Sequence, residues 1–144
     1  MGNNITIFYA DDDSDDLDFF RDVAESIGKH IQLNTYSNGD KLLSAVKEGK
    51  DKPEVIFLDL NMPGKSGFDV LRELKGGSGF EAIPVVVFST SNDQHNIEKS
   101  RNLGANYFVT KPDSFAKLKK SIEHTISIDW QNFRPSLKEF VYQG

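Results

Sequence analysis

Residues Val55–Leu71 read VIFLDLNMPGKSGFDVL. From Val55 to Leu60, directly after Pro53 and Glu54, the only polar residue is Asp59. That is the pattern of a strand buried on both faces of a parallel sheet. Asn61 to Gly67 follow as NMPGKSG, a loop punctuated by proline and glycine. Phe68, Val70, Leu71 and Leu74 then recur at helical spacing. Strand, loop and amphipathic helix make one βα unit, with the Asp59 carboxylate at the strand's carboxyl end.

The same unit recurs on either side. Upstream, ITIFYA (Ile5–Ala10) is β-branched and aromatic, and Leu17, Phe20, Val23, Ala24 and Ile27 form a helical stripe closed by Gly28. Ile31–Tyr36 alternates as a weaker strand, Ser37-Asn38-Gly39 is turn chemistry, and Leu42, Leu43 and Val46 give a short helix ended by Gly49. Downstream, Pro84 opens the apolar strand VVVFS (Val85–Ser89), and a helix around Ile97, Ser100 and Leu103 stops at Gly104. Tyr107–Thr110 is a fifth strand, and Phe115, Leu118, Ile122 and Ile126 mark the last helix. Strands alternating with helices predict parallel pairing through right-handed crossovers, hence an α/β fold with an open five-stranded parallel sheet and helices on both faces.

Composition agrees with this and narrows the function. The chain has 144 residues, 38% of them apolar, and no cysteine, which excludes disulfides, thiolate metal sites and cysteine nucleophiles. Its net charge of −5 is local: six aspartates lie in DDDSDDLD (Asp11–Asp18), and without them 16 acids face 17 bases. A balanced remainder argues against nucleic-acid binding, which needs clustered lysine and arginine. No segment approaches the ~20 apolar residues of a membrane span, and MGNNITIFYADDD lacks the marks of a secretion signal, so a cytoplasmic protein without membrane association is expected. Gly2 with Thr6 fits a bare myristoylation consensus, a pattern common by chance.

In open parallel sheets, sites form beyond the carboxyl ends of the strands. There this sequence places Asp11, Asp12 and Asp13, then Asp59, then Ser89 and Thr90, then Lys111 and Pro112. Carboxylates brought together repel unless a cation sits among them, and Asp11, Asp12 and Asp59 form a hard-oxygen set suited to Mg²⁺, with Mn²⁺ as an allowed substitute. Lys111 supplies a fixed positive charge, and Ser89 a hydroxyl for a phosphoryl oxygen. The set describes phosphoryl transfer onto the carboxylate of Asp59.

These pieces resemble the receiver domain of two-component response regulators, a CheY-like, flavodoxin-like (βα)5 family. The matching segments are YADDDS, FLDLNMPGKSGFDVL, PVVVFST and ANYFVTKP, and the resemblance spans Ile5 to Ser127. It implies that Asp59 is the phosphoacceptor, that Asp11 and Asp12 with Asp59 and the backbone carbonyl of Asn61 hold the metal, and that Ser89 and Phe108 are the switch pair. It implies that Lys111 contacts the phosphoryl group, that Pro112 follows it through a cis bond, and that Pro63 and Gly67 shape the loop after Asp59. Asn61 and Ser91 lie where the family tunes hydrolysis. It also implies that a sensor histidine kinase or phosphotransfer protein donates from phosphohistidine, that an unknown downstream protein reads the switch, and that the domain catalyses only its own phosphorylation and dephosphorylation. Two positions depart from the pattern: Asp113 stands where an aromatic residue is usual, and Ala10 where valine is usual.

Plainer readings stand beside these. Asp13, Asp15 and Asp16 suit the positive end of the first helix, with Ser14 as a candidate cap. Asp11, Asp13 and Asp15 alternate as in a calcium loop, but Asp16 and Asp22 occupy positions needing Gly and Glu. Phe108 alone reads as core, and Gly67 as a position needing positive φ. His30, His95 and His124 share no ligand spacing and read as surface residues, and KGGSGF lacks the lysine and hydroxyl of a phosphate loop. Two rivals remain: a phosphohydrolase using Asp11 and Asp13, which leaves Asp59 unexplained, and a pseudo-receiver, which leaves the acid pair and Lys111 unexplained.

Residues 1–127 therefore form the expected receiver unit. Residues 128–144, IDWQNFRPSLKEFVYQG, form a tail too short for an output domain. Its Trp130, Phe133, Phe140 and Tyr142 are expected either to pack back on the last helix or to make a partner or homodimer contact. Pro135 divides it.

Overall fold

The computed structural model describes residues 4–144; Gly2, and with it the myristoylation consensus, lies outside the described residues. The chain runs β1 (Ile5–Ala10), α1 (Ser14–Ile27), β2 (Ile31–Tyr36), α2 (Gly39–Glu48), β3 (Val55–Leu58), α3 (Gly67–Lys75), β4 (Val85–Ser89), α4 (Gln94–Asn102), β5 (Tyr107–Thr110) and α5 (Phe115–Ile126). The five strands form one parallel sheet in the order β2-β1-β3-β4-β5.

Every residue of β3 and β4 is buried, because alternate side chains enter different layers. Phe8, Ile56, Leu58, Val85 and Val87 pack with α2 and α3 through Leu42, Val46, Val70 and Leu74. Ile7, Tyr9, Phe57, Val86 and Phe88 pack with α1 and α5 through Phe20, Val23, Leu118 and Ile122. Successive helices therefore leave β1 and β3 toward different faces. The crevice between those two strands opens at their carboxyl ends, where the strand order reverses.

Local chemistry departs from the sequence reading at four points. The cap of α1 is Asp13, not Ser14, because the Asp13 carboxylate accepts from the amides of Asp15 at 2.9 Å and Asp16 at 3.3 Å. β3 ends at Leu58 rather than Leu60, since Leu60 O turns away to accept from Gly67 N–H at 2.9 Å. Gly67 does not have positive φ; Gly64 does, at 76°. Gly67 is needed for close approach instead: a Cβ there would stand 2.4 Å from Asp59 O and 2.7 Å from Leu60 Cα. Among the described residues no peptide bond is cis, so Lys111–Pro112 is trans. Lys111 still reaches the site, because its N–H pairs with Ser89 O at 3.1 Å and carries the β4–β5 ladder past Thr110.

The tail packs back on the body. Trp130 and Phe133 sit against Tyr107 with ring centroids 6.4 and 5.4 Å away, and Phe140 is fully buried. The loop after α3 is held by Lys75, whose ammonium donates to Glu81 O at 2.8 Å and Ile83 O at 2.7 Å. No helix among the described residues is long and apolar enough to cross a membrane.

Candidate metal and phosphoryl site

The site begins with an aromatic floor. Tyr9, Phe20, Phe57 and Phe88 pack together beneath the carboxyl ends of β1 and β3, Phe57 and Phe88 edge to face with Phe20 at centroid distances of 5.0 and 5.6 Å and Tyr9 tilted on it at 4.5 Å. Asp11 and Asp59 emerge just above this layer and are almost wholly shielded from water, whereas Asp12 is exposed. One carboxylate oxygen from each of Asp11, Asp12 and Asp59 lies within 4.8 Å of the others. That spacing and donor chemistry fit one hard divalent cation, with the exposed Asp12 side left for water ligands.

Lys111 binds the cluster from the residue after β5. Its ammonium is 2.7 Å from Asp11 Oδ2, 2.7 Å from Asp16 Oδ2 and 3.4 Å from Asp59 Oδ2. Burial alone would lower the Lys111 ammonium, but its bonds to Asp11 and Asp16 and the Asp11 and Asp59 charges outweigh this and raise it. Asp59 shows the opposite tension. Burial first, then the Asp11 charge, push its carboxyl up to about 6, against the Lys111 charge, the Ser89 hydroxyl and the Asn61 amide, which lower it.

Ser89, Asn61 and Ser91 line the rest of the crevice. Ser89 is buried at the end of β4, and its Oγ accepts from Ser91 N–H at 3.1 Å. Asn61 donates its side-chain amide to Ser91 Oγ at 2.6 Å across the mouth. Phe108 is buried among the side chains on the α2–α3 face rather than in the crevice itself. Pro63 is exposed in the loop after Asp59. Asp113 is exposed and lies 3.5 Å from the Lys117 ammonium.

Two residues of the site escape a reading of the sequence alone. Tyr9 donates its hydroxyl to Asp11 Oδ2 at 2.5 Å from within the floor. Burial, then the Asp11 charge, hold that phenol protonated far above its ordinary range. Its signal was the two-residue spacing, which puts Tyr9 and Asp11 on one side of β1. Asp16 lies in the first turn of α1, as expected, and also accepts from Lys111 across 95 residues of sequence, a contact that nothing local marks. Asp13 Oδ1 is occupied as the α1 cap, and the acids close enough to share an ion are Asp11, Asp12 and Asp59. His30, His95 and His124 are exposed; His124 Nε2 sits 3.2 Å from the Tyr107 hydroxyl.

The family model for the response regulator receiver domain matches residues 7–123. The chain belongs to the response regulator receiver family. Among relatives, it is 37% identical to response regulator Rcp1 of Synechocystis sp. over 76 residues, covering 53% of this chain and 52% of that protein. It is 28% identical to PilG of Pseudomonas aeruginosa over 109 residues, covering 76% of this chain and 81% of that one. The chain thus spans about half the length of relatives such as Rcp1. Among solved structures, the Mn²⁺-bound form of Rcp1 aligns with a TM-score of 0.76 at 26% identity, covering 92% of this chain and 99% of that one. The phosphorylated cyanobacterial phytochrome response regulator RcpA aligns with a TM-score of 0.78 at 26% identity, covering 92% and 97%. Receivers also occur joined to catalytic domains, as in the 28% identical phosphodiesterase regA of Dictyostelium discoideum, of which this chain covers 16%.

Proposed function

We propose that this receiver domain is a phosphoryl-controlled protein-binding switch whose acceptor is Asp59. One observation carries the reading: a shielded carboxylate sits beside two further acids and the ammonium of Lys111 at one crevice. Phosphoryl transfer asks a protein for positioning and charge stabilisation more than for covalent chemistry, and this crevice offers both. Asp59 Oδ forms the new O–P bond while the P–N bond to a donor phosphohistidine breaks, its electron pair staying on the imidazole. Lys111 and Ser89 stabilise the transferred oxygens, and Asp11, Asp12 and Asp59 with the Asn61 carbonyl would hold Mg²⁺ or Mn²⁺. A divalent ion there offsets carboxylate charge and polarises phosphoryl oxygens. The Mn²⁺-bound relative and the phosphorylated relative support the two halves of this reading.

The output is a change of binding surface. The phosphoryl group draws the Ser89 hydroxyl, and Phe108, on the strand beside it, repacks in response. The receiver unit is residues 1–127, working in the cytoplasm with a histidine kinase or phosphotransfer protein upstream and a protein target downstream. Residues 128–144 are an accessory tail. Beyond its own phosphorylation and dephosphorylation the unit has no catalytic role.

Incubation with a small phosphodonor and Mg²⁺, followed by intact mass, tests the assignment. One phosphoryl group is expected on the unaltered protein and none on Asp59→Asn. Equal labelling of both, or a requirement for Asp13 instead, overturns it. Turnover of a generic phosphomonoester would favour the hydrolase instead.

A further inference from the structure

An edge strand leaves a row of backbone donors and acceptors able to pair with another chain. β5 is an edge strand, and this protein covers part of it with its own tail. Phe108 N–H donates to Phe140 O at 3.0 Å, and Phe108 O accepts from Tyr142 N–H at 2.9 Å. Phe108 and Val141 thereby form a parallel bridge, the geometry by which an extended peptide augments a sheet. Consecutive tail side chains are seated on different faces: Val141 packs against the layer that holds Phe108, and Tyr142 against the layer that holds Tyr107. Phe140 is buried in the core layer that holds Phe108, and Tyr142 lies 5.1 Å from the His124 ring and 6.4 Å from the Tyr107 ring. The cover is narrow, with a cleft of about 540 Å³ toward α4 and another of about 790 Å³ toward α5. Lys138, Glu139, Gln143 and Gly144 around it are exposed.

Both of these backbone hydrogen bonds are made by one residue of the body, Phe108, the residue assigned above to the switch, while the Arg101 side chain donates to Pro135 O at 3.3 Å further up the tail. β4 and β5 are in register, Val87 beside Phe108 and Ser89 beside Thr110, so movement at Ser89 acts directly on the strand that holds the tail. We infer that the β5 edge is a docking site for an extended protein segment, that Phe140–Tyr142 occupy it before phosphorylation, and that phosphorylation of Asp59 releases them. The release rests on the proposed roles of Asp59, Ser89 and Phe108. The tail itself states the partner's chemistry: a segment running parallel to β5 that carries apolar or aromatic side chains at three consecutive positions, to fill the seats of Phe140 and Val141 on the Phe108 face and of Tyr142 on the Tyr107 face.

The test uses the full chain with Mg²⁺ and a small phosphodonor. Intact mass reports the phosphoryl group, amide exchange reports Phe108 and Tyr142, and a labelled peptide of residues 136–144 serves as the probe strand. Phosphorylation is expected to speed exchange of both amides at least tenfold and to tighten peptide binding at least tenfold. Tyr142→Pro, which lacks the N–H given to Phe108 O, is expected to take the peptide without phosphodonor. Absence of the phosphoryl mass overturns the reading of Asp59, and the release with it. A phosphoryl gain with unchanged exchange overturns the release alone, whether the tail has stayed or a second copy's tail has replaced it. Faster exchange with no peptide bound to either the phosphorylated protein or Tyr142→Pro overturns the docking site.

Discussion

Asp59→Asn is expected to stabilise the metal-free protein. Burial and the neighbouring Asp11 charge move the Asp59 carboxyl from 3.8 to about 6 in the folded chain. At about 1.36 kcal/mol per pKa unit, keeping Asp59 ionised in the folded protein is worth at most about 3 kcal/mol of lost stability. Asn removes that charge but leaves a buried amide to be satisfied, so a net gain of about 1–2 kcal/mol is expected. The sign with pH follows from the direction of the shift. The folded state binds the Asp59 proton more tightly than the unfolded state, so the penalty is absent below pH 3.8, grows as pH rises toward 6 and is complete above it. Urea denaturation of both proteins in a chelator, at pH 4 and pH 7.5, measures this. With a slope of about 2 kcal/mol/M, the variant's midpoint should lie ~0.5–1 M higher at pH 7.5 and nearly coincide at pH 4. Mg²⁺ at a hundred times its Kd should stabilise the unaltered protein by about 2.7 kcal/mol and Asp59→Asn by much less. An equal gain at both pH values, or a loss at pH 7.5, would refute the electrostatic account of the crevice.

Lys111→Met should destabilise the metal-free protein by about 3 kcal/mol in the same urea assay, since it strands buried Asp11 and Asp59 without their cation; an unchanged midpoint counts against the bridging role. Asp16→Asn frees Lys111 from one of its close anions, so beryllofluoride, a phosphoryl mimic, should bind several-fold tighter by calorimetry in the presence of Mg²⁺, with stability changed by less than about 1 kcal/mol. Gly67→Ala places a methyl 2.4 Å from Asp59 O. It should lower stability by about 1–3 kcal/mol and weaken Mg²⁺ binding as the acceptor loop shifts; thermal unfolding with and without Mg²⁺ reads both.

The parts of this protein that were legible in its sequence are those set by short-range pattern. β3 and β4 announce themselves because a strand buried on both faces has nearly no polar residues, and β5 was bounded at Tyr107 and Thr110 by the turn before it and the Lys-Pro after it. Asp11, Asp12, Asp59, Ser89 and Lys111 followed from a rule about strand ends, and the structure brings all five to one crevice. What escaped was decided by choices between equivalent residues or by distance. Asp13 and Ser14 are both good caps, and only the backbone path into α1 selects Asp13. Gly67 was visible as a required glycine, but whether conformation or crowding required it depends on where Asp59 O lies. Asp16 meets Lys111, and Phe140 meets Phe108, through contacts that no periodicity records.

Trp130 has an optical consequence. It is the chain's one tryptophan, and it lines a hollow with Ile5, Glu54, Pro84 and Asn106, at the amino ends of the strands and so opposite the aspartate crevice. Its indole emission therefore records the seating of the tail's Trp130 and Phe133 on Tyr107, with no contribution from direct quenching by an ion at Asp59. A fluorescence change on adding Mg²⁺ or a phosphodonor would be a signal carried through the whole depth of the sheet.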